Sequence, residues 1–140
     1  MNGRTYTDMG CDRSEKTFCR TLLTDLDAFD ELKDDIIGLT GMSPAVFNII
    51  LACEEIFVNI VEYSCAKTAD VAVTLNNDRL TVCFADCGIA FDPLSTSIEE
   101  KGFDELDDGG MGIMLVRKIA SECSYTRTSE KNILRLVFNL

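Results

Sequence analysis

The chain reads as an α+β domain: a two-layer sandwich with a mixed, mostly antiparallel sheet and three main helices on one face. Three observations predict it. Apolar residues alternate with polar or small ones in several short stretches, the two-residue period of half-buried strands. Three longer stretches carry apolar residues at helical spacing. The resulting order, β-α-α-β-β-α-β-β, sets strand pairs between helices without regular βαβ alternation.

Lys16 to Leu22 alternates loosely (Phe18, Arg20, Leu22) and reads as an edge strand. Thr24 then stands at capping-box distance from Asp27, with Asp in place of the usual Glu. Leu26, Phe29, Leu32, Ile36 and Ile37 follow as a helical stripe that ends between Gly38 and Gly41. Ser43-Pro44 starts a second helix, a capping hydroxyl before proline at the first helical position, and this helix runs to about Ser64. Val71, Val73 and Leu75 form one strand and Leu80, Val82 and Phe84 the next, joined by the turn residues Asn76-Asn77-Asp78. Residues 94–108 are polar and read as a mobile loop. Gly109-Gly110-Met111-Gly112 opens a third helix with Ile113, Val116, Ile119 and Ala120 as its buried stripe. Tyr125 to Thr128 and Ile133 to Leu140 close a second hairpin around Ser129 to Asn132.

At 140 residues the chain holds one domain, and 46% hydrophobic residues give it a core rather than a disordered tail. Residues 1–16 are polar and mixed in charge, a flexible leader and no secretory signal; the domain proper is 17–140. Glu54, Glu55 and Asn59 interrupt the most apolar stretch, so no run suits a membrane span. Seven cysteines without a CxxC pair, and no histidine, leave no zinc spacing. Cys53, Cys83 and Cys123 read as reduced core residues, which places the chain in the cytoplasm. A net charge of −11 excludes nucleic acid as a partner. It also opposes any anionic ligand, unless local dipoles and a divalent cation overcome the field.

Three segments carry candidate chemistry, and each also has an ordinary explanation. Glu55, Asn59 and Glu62 share one face of the second helix, through spacings of four and three. They form either a solvated stripe or a carboxylate and an amide oxygen around a hydrated cation. Asp86-Cys87-Gly88, directly after a strand, is either an Asx turn or a short acid beside a glycine that lets a flat ring approach. Gly109 to Ile113 is either a hinge or a helix N-terminus whose N–H groups bind an anion.

Taken in order, the three segments resemble the ATP site of the GHKL (Bergerat-fold) family, over about residues 17–140. Glu54 to Val61 (EEIFVNIV) resembles its N box, Asp86 to Pro93 (DCGIAFDP) its first glycine box, and Gly109 to Lys118 (GGMGIMLVRK) its second. The Glu55–Asn59 spacing and the DxGxxFDP form are most similar to the anti-sigma-factor serine/threonine kinases. The resemblance implies ATP and Mg²⁺ as ligands. Glu55 would be the catalytic base, and Asn59 would ligate the metal through its side-chain oxygen. Asp86 would receive the adenine amino group beside Gly88 and Ala90. Gly109, Gly110, Met111, Gly112 and Ile113 would cradle the phosphates under a lid formed by 94–108. It also implies transfer of the terminal phosphate to a serine of an anti-sigma-factor antagonist, a sigma factor as a second partner, and a homodimer. The chain departs from the family in its acidic lid, where Lys101 is the only basic side chain. A non-catalytic, partner-binding regulatory module on the same fold is the alternative.

Overall fold

The computed structural model describes residues 5–8, 15–94 and 109–140. The strands are β1 (Thr5–Asp8), β2 (Glu15–Leu23), β3 (Thr68–Asn76), β4 (Arg79–Asp86), β5 (Glu122–Arg127) and β6 (Asn132–Asn139). The helices are α1 (Phe29–Thr40), α2 (Pro44–Tyr63) and α3 (Gly109–Ile119), with a 3-10 turn over Leu26–Ala28 before α1. The sheet order is β1-β2-β3-β4-β6-β5. All of its pairings among the described residues are antiparallel, where the expectation allowed a mixed sheet.

Strand register explains the two layers. Phe18, Val73, Val82 and Leu136 lie opposite one another across four strands, and so do Leu22, Ala69, Asp86 and Asn132. Because side chains alternate faces, these rows all point to one side, and every residue in them is buried. The helices cover that side. Phe18, Phe57, Phe84 and Phe138 are fully buried there, each worth about 1.5–3 kcal/mol relative to exposure. The opposite face carries Thr17, Cys19, Ala72, Thr74, Thr81 and Cys83, none of them buried.

Arg20 is a charged residue among the apolar ones of the inner face. It is 4% exposed and pairs with Asp35 and Glu31 of α1, with Nη2 donating to Asp35 Oδ1 at 3.3 Å. A buried guanidinium needs such partners, and here they fasten α1 to β2.

α2 is the central helix. Ser43 caps it as expected, its hydroxyl accepting from the Val46 N–H at 3.1 Å. By length and composition alone α2 could cross a membrane, contrary to the sequence expectation. In this fold it is a core helix, with Ile49, Cys53, Ile56, Phe57 and Ile60 buried against its neighbours.

Two local expectations change. The Thr24–Asp27 capping box does not form: Asp25 caps the 3-10 turn by accepting from the Asp27 N–H at 2.9 Å, and Thr24 donates to the Ala66 carbonyl at 2.5 Å. Thr24 is drawn away because the backbone entering β3 offers a carbonyl within its reach. The sheet also extends into the segment read as a leader, since β1 pairs with β2 and β2 begins at Glu15. Residues 95–108 of the expected lid lie outside the described residues.

Candidate functional site

α2 is the element on which the three motif segments meet. Glu55 and Asn59 sit one turn apart on it, and Ser64 caps its C-terminus. Glu55 touches the Gly109–Lys118 segment, and Asn59 and Ser64 touch the two parts of the Asp86–Pro93 segment. The Glu55 carboxylate packs on α3, so closely that a Cβ at Gly112 would lie 2.0 Å from Glu55 Oε2. The first turn of a helix presents N–H dipoles that favour a negative charge. Asn59, 5% exposed, donates from Nδ2 to the Pro93 carbonyl at 3.4 Å. The Ser64 carbonyl accepts from the Ile89 N–H at 2.8 Å, and a Cβ at Gly88 would lie 2.1 Å from it. No side chain fits at residue 88, so the loop after β4 lies directly on the end of α2.

Asp86 ends β4 on the inner face and is 5% exposed. Its Oδ1 accepts from the Gly88 N–H at 2.8 Å and from Asn132 Nδ2 at 3.0 Å. Both bonds fall on one oxygen, so among the described residues Oδ2 can accept from a further donor. Asn132 stands opposite Asp86 in the β4–β6 ladder and joins the surrounding loop together. Its Nδ2 also donates to the Ile89 carbonyl at 2.7 Å. Its Oδ1 accepts from the Phe91 N–H at 3.0 Å, the Tyr125 hydroxyl at 2.5 Å and Arg127 Nη1 at 3.1 Å. Arg127 Nη1 reaches the Gly88 carbonyl as well, at 2.9 Å. Every polar atom of the Asn132 side chain is therefore engaged in fixing the 86–91 segment.

Of the remaining predicted positions, Ala90 is exposed two residues beyond Gly88. The backbone of Gly109, Gly110, Met111 and Gly112 forms the first turn of α3, so the helix starts at the first glycine. Ile113 is 2% exposed and its side chain belongs to the core; what it can offer a ligand is backbone. Glu62 is exposed and fits the solvated-stripe reading. Tyr63 packs on Phe91 with ring centroids 5.1 Å apart. Arg117 donates to the Leu94 carbonyl at 2.6 Å, tethering α3 to the residue where the expected lid begins.

Sequence reasoning missed Asn132, Ser64 and Arg127. Asn132 looks like the last residue of a turn, and its role follows from strand register. Knowing that β6 pairs with β4 would have placed it beside Asp86.

The donor set fits a magnesium nucleotide. A carboxylate oxygen on a fixed side chain suits an exocyclic amine. An amide oxygen is a hard ligand of the kind Mg²⁺ prefers. A side-chain-free surface at Gly88 and a glycine-lined helix start admit a ring and an anion at close range.

A family model described as histidine kinase-like ATPase domain matches residues 22–138. No curated protein matches the chain in sequence. Among solved structures, the histidine kinase domain of the Erythrobacter litoralis EL346 blue-light activated histidine kinase is similar, with a TM-score of 0.53 and 13% identity; the match covers 82% of this chain and 60% of that one. Acinetobacter baumannii histidine kinase AdeS is similar with a TM-score of 0.52 and 15% identity, over 85% of this chain and 66% of that one. The chain thus spans less than two thirds of either, and at these identities the likeness concerns the fold. The family match over most of the chain carries the assignment: the chain belongs to the histidine kinase-like ATPase domain family.

Proposed function

We propose that the chain is a magnesium-dependent serine/threonine kinase of the anti-sigma type, passing the terminal phosphate of ATP to a serine of an antagonist protein and also holding a sigma factor. The observation that supports this most directly is the convergence on α2: Glu55 against Gly112, Asn59 against Pro93, and Ser64 against Gly88. One rigid helix thereby sets the base-recognition loop, the metal-ligating amide and the phosphate-binding turn relative to one another.

The roles follow from the contacts. Asp86, held through Oδ1, presents Oδ2 to the purine amine. Gly88 keeps the wall beside it flat. Asn59, whose amide nitrogen donates to the Pro93 carbonyl, would hold the cation through its side-chain oxygen. When bound, Mg²⁺ supplies neutralisation of phosphate charge, which phosphoryl transfer requires more than covalent help. The first turn of α3 adds backbone N–H dipoles to the same end. Glu55 accepts the proton of the serine hydroxyl as its oxygen attacks phosphorus. The charge problem posed by an acidic chain is thus solved locally.

Calorimetry with ATP and Mg²⁺ tests the binding half. The wild type should bind and Asp86→Asn should lose affinity; no binding heat from the wild type overturns the nucleotide reading. For the catalytic half, Glu55→Ala should keep ATP affinity and lose transfer by about 10²–10⁴-fold. Transfer of labelled γ-phosphate at the wild-type rate would remove Glu55 as the base.

A further inference from the structure

Beyond the nucleotide site, a cavity of about 320 Å³ opens beside Asp86, lined by Cys65, Ala66, Lys67, Thr68, Asp70, Ala85, Asp86, Cys87 and Lys131. None of its lining residues belongs to α2 or α3, and Asp86 is the one position it shares with the site above. Two exposed thiols, Cys65 and Cys87, line it together. The backbone between them is already in contact: each cysteine adjoins one member of the Ser64–Gly88 pair, whose approach is too tight for a Cβ. The Ile89 N–H bond to the Ser64 carbonyl, at 2.8 Å, holds the two segments together.

From this geometry we propose that Cys65 and Cys87 are an oxidisable dithiol, a modification site at which a peroxide closes a disulfide and thereby weakens nucleotide binding. The coupling half rests on the nucleotide reading given above.

Both thiols are exposed on the wall of this open cavity, so a peroxide can reach either sulfur. One thiolate attacks a peroxide oxygen, the O–O bond breaks, and a sulfenic acid forms as the first water leaves. The second thiol attacks the sulfenic sulfur, the S–S bond forms, the S–O bond breaks, and a second water carries off the remaining proton. Two thiols lose two hydrogens and two electrons, and hydrogen peroxide becomes two waters.

Closure couples to the nucleotide site through chain connectivity. Cys87 lies between Asp86 and Gly88, and bridging requires Cα atoms roughly 4.4–6.8 Å apart across the cavity. Drawing Cys87 toward Cys65 turns the peptide that orients Asp86 and seats Gly88. Cys53 does not compete, because burial pushes its thiol up to about 12.

The test treats the reduced full chain with hydrogen peroxide, maps disulfides by mass spectrometry of peptides, and measures ATP affinity in both forms by calorimetry. The expected result is loss of two hydrogens in a Cys65–Cys87 crosslinked peptide, ATP affinity roughly tenfold weaker in the oxidised form, and recovery on reduction. Cys65→Ser should bind ATP as the reduced wild type does and should keep that affinity after peroxide. Absence of the crosslink, or a crosslink to other cysteines, overturns the site. A mapped crosslink with unchanged ATP affinity overturns the coupling. If neither form binds ATP, the nucleotide reading falls and takes the coupling with it, while the mapped crosslink still establishes the dithiol.

Discussion

Two contacts made by α2 meet glycines in opposite ways. At its C-terminus, Gly88 lies against a backbone carbonyl, that of Ser64, inside a loop held by Asn132 and Arg127. Toward its middle, Gly112 lies against the tip of a side chain, the Glu55 carboxylate. A backbone atom in a bonded network moves aside only at a cost in broken hydrogen bonds, whereas a glutamate can change rotamer. On the proposed function, the base-recognition end of the site is preformed, and the reaction end can adjust as a ligand arrives. Recognition of a flat ring gains from rigidity, and a general base has to follow a moving proton.

Substitutions at the two ends separate these behaviours. Gly88→Ala forces the Ser64 carbonyl to shift and should cost about 3 kcal/mol, read from urea unfolding. Asn132→Ala removes the donor to Asp86 and leaves the Phe91 N–H and Tyr125 hydroxyl without their acceptor; a loss of about 2 kcal/mol and weaker ATP binding should follow. Ser43→Ala removes the N-terminal cap of α2, away from both glycine contacts, and should cost about 1 kcal/mol while ATP affinity stays unchanged, a control for general loosening. Gly112→Ala should alter stability by less than about 1 kcal/mol, because alanine's higher helix propensity offsets displacement of Glu55. Phosphate transfer should nevertheless fall in that variant. If Gly112→Ala instead destabilises the protein as much as Gly88→Ala, the contrast between rigid and adaptable ends is wrong.

The parts legible in the sequence were those written in local patterns. Ser43-Pro44 announced α2, and the alternation in β3 and β4 flanked a turn at which Asn77 adopts a φ of 57°. The three motif segments were legible too, because each carries its chemistry in adjacent residues or along one helix face. What escaped depends on distant parts of the chain meeting. Arg20 alternates with Phe18 and Leu22 like a core residue, but its partner Asp35 is set by how α1 docks. Asn132 and Asp86 become neighbours only through the β4–β6 register. Thr24 offered a plausible cap and lost to a carbonyl from the segment entering β3. The strand at Thr5–Asp8 lies in polar sequence and owes its form to pairing with β2.

The position of β6, inserted between β4 and β5, has a consequence for biosynthesis. Asp86 leaves the ribosome long before Asn132, and until β6 arrives the segment around Asp86 lacks the amide that orients it. Contacts so far apart along the chain form late. A nascent polypeptide should therefore gain affinity for nucleotide only after β6 has emerged, so ligand capture would report that this last strand of the sheet has paired.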